Sequence, residues 1–257
     1  MVQVLGISGS PVKDSNTDRL VKTILEASDV DTEFVKLSDI SVGPCIACKQ
    51  CAHTNQCIIN DDFKWLSRKI VEADALVIGT PVMDNNVSAF TKSFIERSLS
   101  LKHGQLMEGK IGATAIVGWL GTEEVREWLN HVLLVNGVEV VGSVIGYGTP
   151  GCFTCGLGEN CRHSIMNGIQ KMKVMAGEMG KEGFDVNLKE IDNIEKMYEG
   201  YLEELPDNDP FKNPSYKVHK CISVENQPNV MEKAIAIGKS INNKINSSNQ
   251  KKALSAE

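Results

Sequence analysis

The sequence predicts an α/β fold, a doubly wound five-stranded parallel sheet with helices on both faces. Two observations lead there. Five short apolar runs alternate with segments whose apolar residues recur at helical spacing, the pattern of a parallel sheet buried on both sides. The loops that follow the first, third and fourth runs are rich in Gly, Pro, hydroxyl and amide residues. In such sheets ligands bind outside the carboxyl ends of the strands, where the strand order reverses.

Val2–Ser8 is the first apolar run. It stops at a loop containing Ser8, Ser10, Pro11, Ser15, Asn16 and Thr17. The following helix carries Leu20, Val21, Ile24 and Leu25 on one face. A helix start offers free N–H groups and a positive dipole end, and so suits a phosphate. The same residue types also serve as N-caps. The loop has more hydroxyl and amide groups than a cap requires, which favours phosphate binding. It has no G-x4-G-K-[ST], so it is not a Walker P-loop. Thr32–Leu37 reads as the second strand, 61–72 as a helix with Phe63, Leu66, Ile70 and Val71 inward, and Ala75–Thr80 as the third strand. Pro81, Val82, Met83, Asp84 and Asn85 then form a loop, and 87–99 a helix with a stripe of Val87, Phe90, Phe94 and Ile95. Lys110–Val117 is the fourth strand, followed by the loop Gly118, Trp119, Leu120 and Gly121, a helix over 123–136, and a fifth strand over 138–145. Right-handed connections give the order 2-1-3-4-5.

Between the second strand and its helix lies the densest chemistry. Cys45, Cys48, Cys51 and Cys57 are spaced C-x2-C-x2-C-x5-C, four of the eight cysteines in thirteen residues. Cysteines so close in a short loop do not meet the Cα separation and facing Cβ vectors of unstrained disulfides. They can wrap one inorganic core, and a tight C-x2-C-x2-C run supplies three ligands of a cubane iron–sulfur cluster in bacterial ferredoxins. The rivals are zinc, which usually takes two separated C-x2-C knuckles, and free redox thiols or inert cysteines. A second group, Cys152, Cys155 and Cys161 with His163 or Cys221, reads as a zinc site, a second cluster, redox thiols or unliganded packing cysteines.

The chain divides into an N-terminal domain over 1–150, including the cysteine loop 44–60, and a C-terminal part over 151–257. In the latter, one helix (164–181 or 230–245) completes the sheet's cover and the tail from 246 frays. A net charge of −6 over 257 residues gives no electrostatic support for nucleic acid. The longest uncharged apolar stretch, 111–120, is too short to span a bilayer. The N-terminal residues have no basic n-region and no small-residue cleavage site, and so do not read as a signal peptide. Eight cysteines without an export signal point to metal or redox ligands in the cytoplasm.

Ser8-Gly9-Ser10-Pro11, then Ser15-Asn16-Thr17, Gly79-Thr80-Pro81 and Ser88-Ala89-x-x-Lys92-x-Phe94-Ile95-Glu96-Arg97 together resemble the NADPH-dependent FMN reductase family, whose fold is flavodoxin-like. With the C-x2-C-x2-C-x5-C insertion the chain resembles the iron–sulfur flavoprotein branch of that family, found in methanogens and other anaerobes. The resemblance covers roughly residues 2–150. It implies that Ser8, Ser10, Pro11, Ser15, Asn16 and Thr17 hold the FMN phosphate. It further implies that Pro81–Asn85 line the ribityl chain and flavin edge, and that Gly118–Gly121 border the ring. Met83, Asp84 and Asn85 stand where the family usually has an aromatic and a glycine, and Trp119 could supply the ring contact or simply pack. The implied function is electron transfer between a 4Fe-4S cluster and FMN, accepting from a ferredoxin-like carrier or NAD(P)H, in a homodimer or tetramer built partly on helix 87–99. The alternatives are an NAD(P)H-dependent FMN or quinone reductase with structural zinc, and a non-enzymatic redox sensor or cluster carrier.

Overall fold

The computed structural model describes residues 2–148, 223–227 and 229–254, with side chains to residue 250. These belong to one compact unit. The second cysteine group, Cys152, Cys155 and Cys161 with His163 and Cys221, and the helix expected over 164–181 lie outside the described residues.

The strands are β1 (Val4–Ser8), β2 (Thr32–Lys36), β3 (Ala75–Met83), β4 (Asn86–Val87), β5 (Ile111–Gly118) and β6 (Glu139–Tyr147). The helices are α1 (Asn16–Ala27), α2 (Cys51–Thr54), α3 (Phe63–Glu72), α4 (Ala89–Arg97), α5 (Leu99–Lys102), α6 (Thr122–Leu134) and α7 (Val230–Leu254). The sheet order is β2-β1-β3-β5-β6, with β4 paired to β3 alone. The five long strands are parallel, so their order is the 2-1-3-4-5 expected from the sequence. The register aligns Ser8 with Gly79, and Gly79 with Ala115. The loops after β1, β3 and β5 therefore leave from one edge.

Alternate side chains of each strand enter opposite cores, as the period of two requires. Val4, Ala75 and Val77 join Leu20, Val21, Ile24 and Leu25 of α1 and Ala234, Ile237, Ile241 and Ile245 of α7. Leu5, Ile7, Leu76 and Ile78 join Phe63, Leu66 and Ile70 of α3, Phe94 of α4 and Leu129 and Leu133 of α6. Each buried Ile or Leu contributes about 1.5–3 kcal/mol relative to exposure. Helix α7 lies directly on α1. A Cβ at Gly238 would stand 2.4 Å from the Ile24 carbonyl oxygen, so glycine permits the approach. Asn242 Nδ2 donates to the Ser28 carbonyl at 2.6 Å.

Four local expectations change. The loop expected over 81–85 is a hairpin. Strand β3 runs on to Met83 and turns through Asp84 (φ 48°) and Asn85 (φ 55°) into β4. Two successive left-handed residues make the type I′ turn whose twist suits paired strands, and Asp and Asn tolerate that region. The helix expected over 87–99 begins at Ala89, capped by the Ser88 hydroxyl, and Ser98 separates it from α5. Phe90 and Val71, expected inward, are more than one-third exposed. Helix α7 continues to Leu254 instead of fraying at residue 246.

Candidate cofactor edge and cysteine site

The β1–α1 loop is held by its own side chains. Ser15 is the N-cap of α1. Its hydroxyl accepts from the Asp18 N–H at 3.1 Å, and the Asp18 carboxylate accepts from the Ser15 N–H at 3.0 Å. This reciprocal pair is a capping box. Asp18 also accepts from the Ser8 hydroxyl at 2.5 Å and pairs with Lys36 Nζ at 2.5 Å. Lys36 in turn donates to the Val12 carbonyl. The Ser8 hydroxyl accepts from the Ser10 N–H, and the Ser10 hydroxyl from the Val12 N–H. Asn16 donates to the Tyr147 carbonyl and accepts from the Val224 N–H. Ser8, Ser10 and Thr17 are buried and Pro11 is exposed. The expected side-chain donors thus fix the loop, and the positive end of the 12-residue α1 faces it as an anion site.

Beside this loop sits a second layer of hydroxyls. Ser88 donates to the Gly9 carbonyl at 2.6 Å, and Thr91 donates to Thr80 Oγ1 at 3.1 Å. A Cβ at Gly9 would fall 1.8 Å from Thr91 Oγ1, so only glycine fits there. The β3–β4 hairpin meets the β5–α6 loop. A Cβ at Gly118 would lie 2.7 Å from Val82 Cβ, and one at Gly121 (φ 69°) 2.7 Å from Asn85 Oδ1. The structure therefore brings the three expected segments, 8–17, 81–85 and 118–121, to one edge. Met83, Asp84 and Asn85 are exposed there, and Trp119 and Leu120 half-buried.

The cysteine loop follows β2. Cys45, Cys51 and Cys57 are half-buried, Cys48 is exposed, and none is disulfide-bonded. All four line one cavity of about 370 Å³ together with Arg97 and His103. Burial, and then the nearby Cys57, Cys45 and Cys48, push the Cys51 thiol above its ordinary value against the pull of a backbone N–H. Among the described residues no three or more Cys, His, Asp or Glu side chains converge as a single ion requires. The Ala47 N–H points at Cys45 Sγ at 3.4 Å, and Arg97 Nε donates to Cys57 Sγ at 3.2 Å. Such contacts are the kind that tune metal-bound sulfur.

Arg97 also closes the loop at its base. Its Nη1 and Nη2 fork onto both Asp61 oxygens at 2.6 and 2.8 Å, and Nη1 reaches the Gly43 carbonyl at 3.1 Å. Asp61 accepts from the Gly43 and Phe63 N–H groups, and Asp62 from the Ser41 N–H. Burial opposes the Asp61 charge, but Arg97 and the Gly43 and Phe63 N–H groups outweigh it and hold the carboxyl below its usual range.

A family model described as NADPH-dependent FMN reductase matches residues 2–149. The chain belongs to that family. Its relatives place it in the iron–sulfur flavoprotein branch. An iron–sulfur flavoprotein of Methanocaldococcus jannaschii is 35% identical over 147 residues, covering 55% of this chain and 76% of the relative. One from Archaeoglobus fulgidus is 34% identical over 156 residues, covering 58% and 71%. One from Methanosarcina thermophila is 30% identical over 154 residues, covering 57% and 81%.

Against this FMN reductase frame, sequence reasoning assigned no role to three groups of residues, Arg97 among them although it stands in the family motif. Asp18 and Lys36 lie beneath the β1–α1 loop, and the Ser15-x-x-Asp18 spacing is a capping signature that would have found the first. Arg97 falls three residues after Phe94, on the inward face of α4, where a charge signals a buried partner. Gln227 pairs with both the N–H and the carbonyl of Tyr147 at 2.7 Å, and nothing in the sequence marks it.

Proposed function

We propose that this redox flavoprotein of the FMN reductase family carries FMN at the edge formed by 8–17, 81–85 and 118–121, and a 4Fe-4S cluster on Cys45, Cys48, Cys51 and Cys57. The observation that carries the reading is the four thiols around one cavity in a chain of the iron–sulfur flavoprotein branch. When bound, FMN exchanges one or two electrons and a cubane cluster exchanges one, so the pair can join one-electron carriers to a two-electron acceptor. The chain's own residues bind and orient. Helix α1 and the loop that Ser15 and Asp18 fix would hold the phosphate. The hairpin and Gly118–Gly121 would bracket the flavin, with Trp119 beside the ring. Arg97 would hold Cys57 in place. The family supports NAD(P)H as a donor, and a ferredoxin-like carrier suits the cluster.

The working form is a homodimer or tetramer. A groove of about 490 Å³ between α4–α5 and α6 includes Cys45 and Leu99 in its lining. Leu99, Leu134 and Val135 are 44–65% exposed, so association there would cover apolar surface next to the cysteine site. Among the described residues no helix is long and apolar enough to cross a membrane, and we place the protein in the cytoplasm.

Anaerobic purification tests the reading. About four iron and four acid-labile sulfide per chain, with FMN released by acid, are expected, and more metal if the second cysteine group also binds. The triple variant Cys45→Ala, Cys48→Ala, Cys51→Ala should lose this iron and keep FMN. Stoichiometric zinc without sulfide would overturn the cluster assignment, and a flavin-free protein the FMN assignment.

A further inference from the structure

Arg97 stands out among the buried residues. Its side chain is 0% exposed, and arginine is almost never fully buried without a partner. Asp61 already balances its charge through a bidentate pair. The guanidinium nevertheless aims a further donor, Nε–H, at Cys57 Sγ, 3.2 Å away. Phe63 packs on its face with the centroid 4.8 Å from Cζ, and the Gly43 carbonyl takes Nη1. Both terminal nitrogens are thereby anchored and the Nε–H direction is set. Arginine's planar, rigid donor set permits this in a way lysine's single ammonium does not.

Gly43 lies two residues before Cys45, and Asp61 four residues after Cys57. Arg97 thus joins the two stems of the cysteine loop from α4, an element outside it. A cationic N–H on a ligand sulfur withdraws electron density from it and favours the more negative, reduced state of a metal–sulfur centre. Hydrogen bonds to sulfur and net charge are among the factors that set such potentials.

We propose that Arg97 is a positioning residue of the cysteine site that fixes Cys57 and raises the reduction potential of the centre it helps to hold, with Asp61 as the counterweight that limits the rise. The inference rests on the cluster reading above. It assigns opposite signs to two residues in contact, which a purely structural clasp does not.

The test is a dithionite titration of the anaerobically purified protein, followed by electron paramagnetic resonance, with iron and sulfide counted in each sample. Arg97→Gln should lower the midpoint by at least a tenfold change in the reduction equilibrium, about 59 mV for one electron. Arg97→Lys, which keeps the charge, should recover more than half of that shift. Asp61→Asn should move the midpoint upward. Arg68→Gln, the same charge change at an exposed site, should leave it in place. If Arg97→Gln fails to fold, the Asp61→Asn shift decides: upward supports the inference, and zero or downward overturns it. An Arg97→Gln midpoint within the Arg68→Gln control, at full iron content, overturns it too. Wild-type protein without acid-labile sulfide removes the cluster reading itself, and shows this before any variant is compared.

Discussion

The β1–α1 loop and the cysteine loop are each anchored by a buried ion pair, but in different places. Asp18–Lys36 lies beneath its loop, between the first turn of α1 and the end of β2, and the Asp18 carboxylate alone gathers Ser8, Ser15 and Lys36. Arg97–Asp61 lies at the base of the other, bridging Gly43 to the start of α3. Between those stems the backbone hydrogen bonds are local, as in Ala52 to Lys49 and Asn55 to Cys51. Ala47, Lys49 and Asn55 all have left-handed φ. The β1–α1 loop is therefore shaped by the chain's own side chains, while the interior of the cysteine loop holds three residues in the left-handed region with only local backbone hydrogen bonds between its stems. The comparison predicts that FMN binding tolerates loss of the metal centre better than the cysteine loop does.

The largest expected effects come from breaking the two anchors. Arg97→Met leaves the Asp61 carboxylate without its cation, and Asp18→Ala leaves Lys36, 9% exposed, without its anion. Removing one partner of a buried pair costs about 3–5 kcal/mol. Urea unfolding should show both losses. Their cofactor signatures should diverge. Asp18→Ala should lose FMN and keep iron, and Arg97→Met, which has no side-chain donor for Cys57, should retain less iron and keep FMN. A shared loss of both cofactors would mean that the two regions are not independent.

Acid separates the regions less severely. The Asp61 carboxyl is held below its usual value by Arg97 and two N–H groups, despite burial. Its folded pKa therefore lies below the unfolded value of about 3.9. The unfolded chain binds the proton first as pH falls, so the stabilisation is complete above that value and is lost as pH drops through the folded one. The stability gap between wild type and Asp61→Asn should be largest at pH 7 and shrink below about pH 4. A gap that is constant from pH 7 to 3 would show that Asp61 does not act through its charge.

The same contrast explains what was legible in the sequence. The sheet order was, because short continuous apolar runs and helices of period 3.6 follow from burial, and α1 buries the Leu20, Val21, Ile24 and Leu25 read from its spacing. That the segments 8–17, 81–85 and 118–121 meet at one edge of the sheet was legible from the order of the strands. The 81–85 hairpin was not, because Asp84-Asn85 lacks the glycine that usually announces a type I′ turn. The exposure of Phe90 and Val71 was not, because the break at Ser98 and the ends of helices are set by tertiary contacts. The cysteines were legible from spacing alone. Arg97 and Lys36 were not, since their partners, Asp61 and Asp18, lie 36 and 18 residues away and no local pattern connects them.

A smaller effect is expected at the cap. Ser15→Ala removes the hydroxyl that accepts from the Asp18 N–H and should cost about 1 kcal/mol. Because Asp18 keeps Ser8 and Lys36, FMN affinity should weaken severalfold without being abolished, as read by fluorescence titration of apoprotein. Loss of binding on the scale of Asp18→Ala would make the cap, not the ion pair, the element that shapes the loop.

The smallest effect sharpens the comparison most. Each loop contains left-handed residues, Asp14 (φ 48°) in the phosphate loop and Ala47 (φ 53°) in the cysteine loop. Aspartate tolerates this region because its short polar side chain can hydrogen-bond locally, whereas alanine lacks that compensation and carries about 1–2 kcal/mol. Ala47→Gly removes that cost and adds about 0.5–1 kcal/mol of unfolded-state entropy. The net should be a gain of up to about 1 kcal/mol in urea unfolding. Asp14→Gly removes a smaller cost and also an acidic side chain 3.8 Å from Lys22, so it should give no gain. Iron content should be unchanged in both, because the Ala47 N–H that meets Cys45 Sγ survives the substitution. Equal responses at the two positions would mean that the cysteine loop is no more strained than the phosphate loop, and the contrast between a self-shaped site and a strained one would fail.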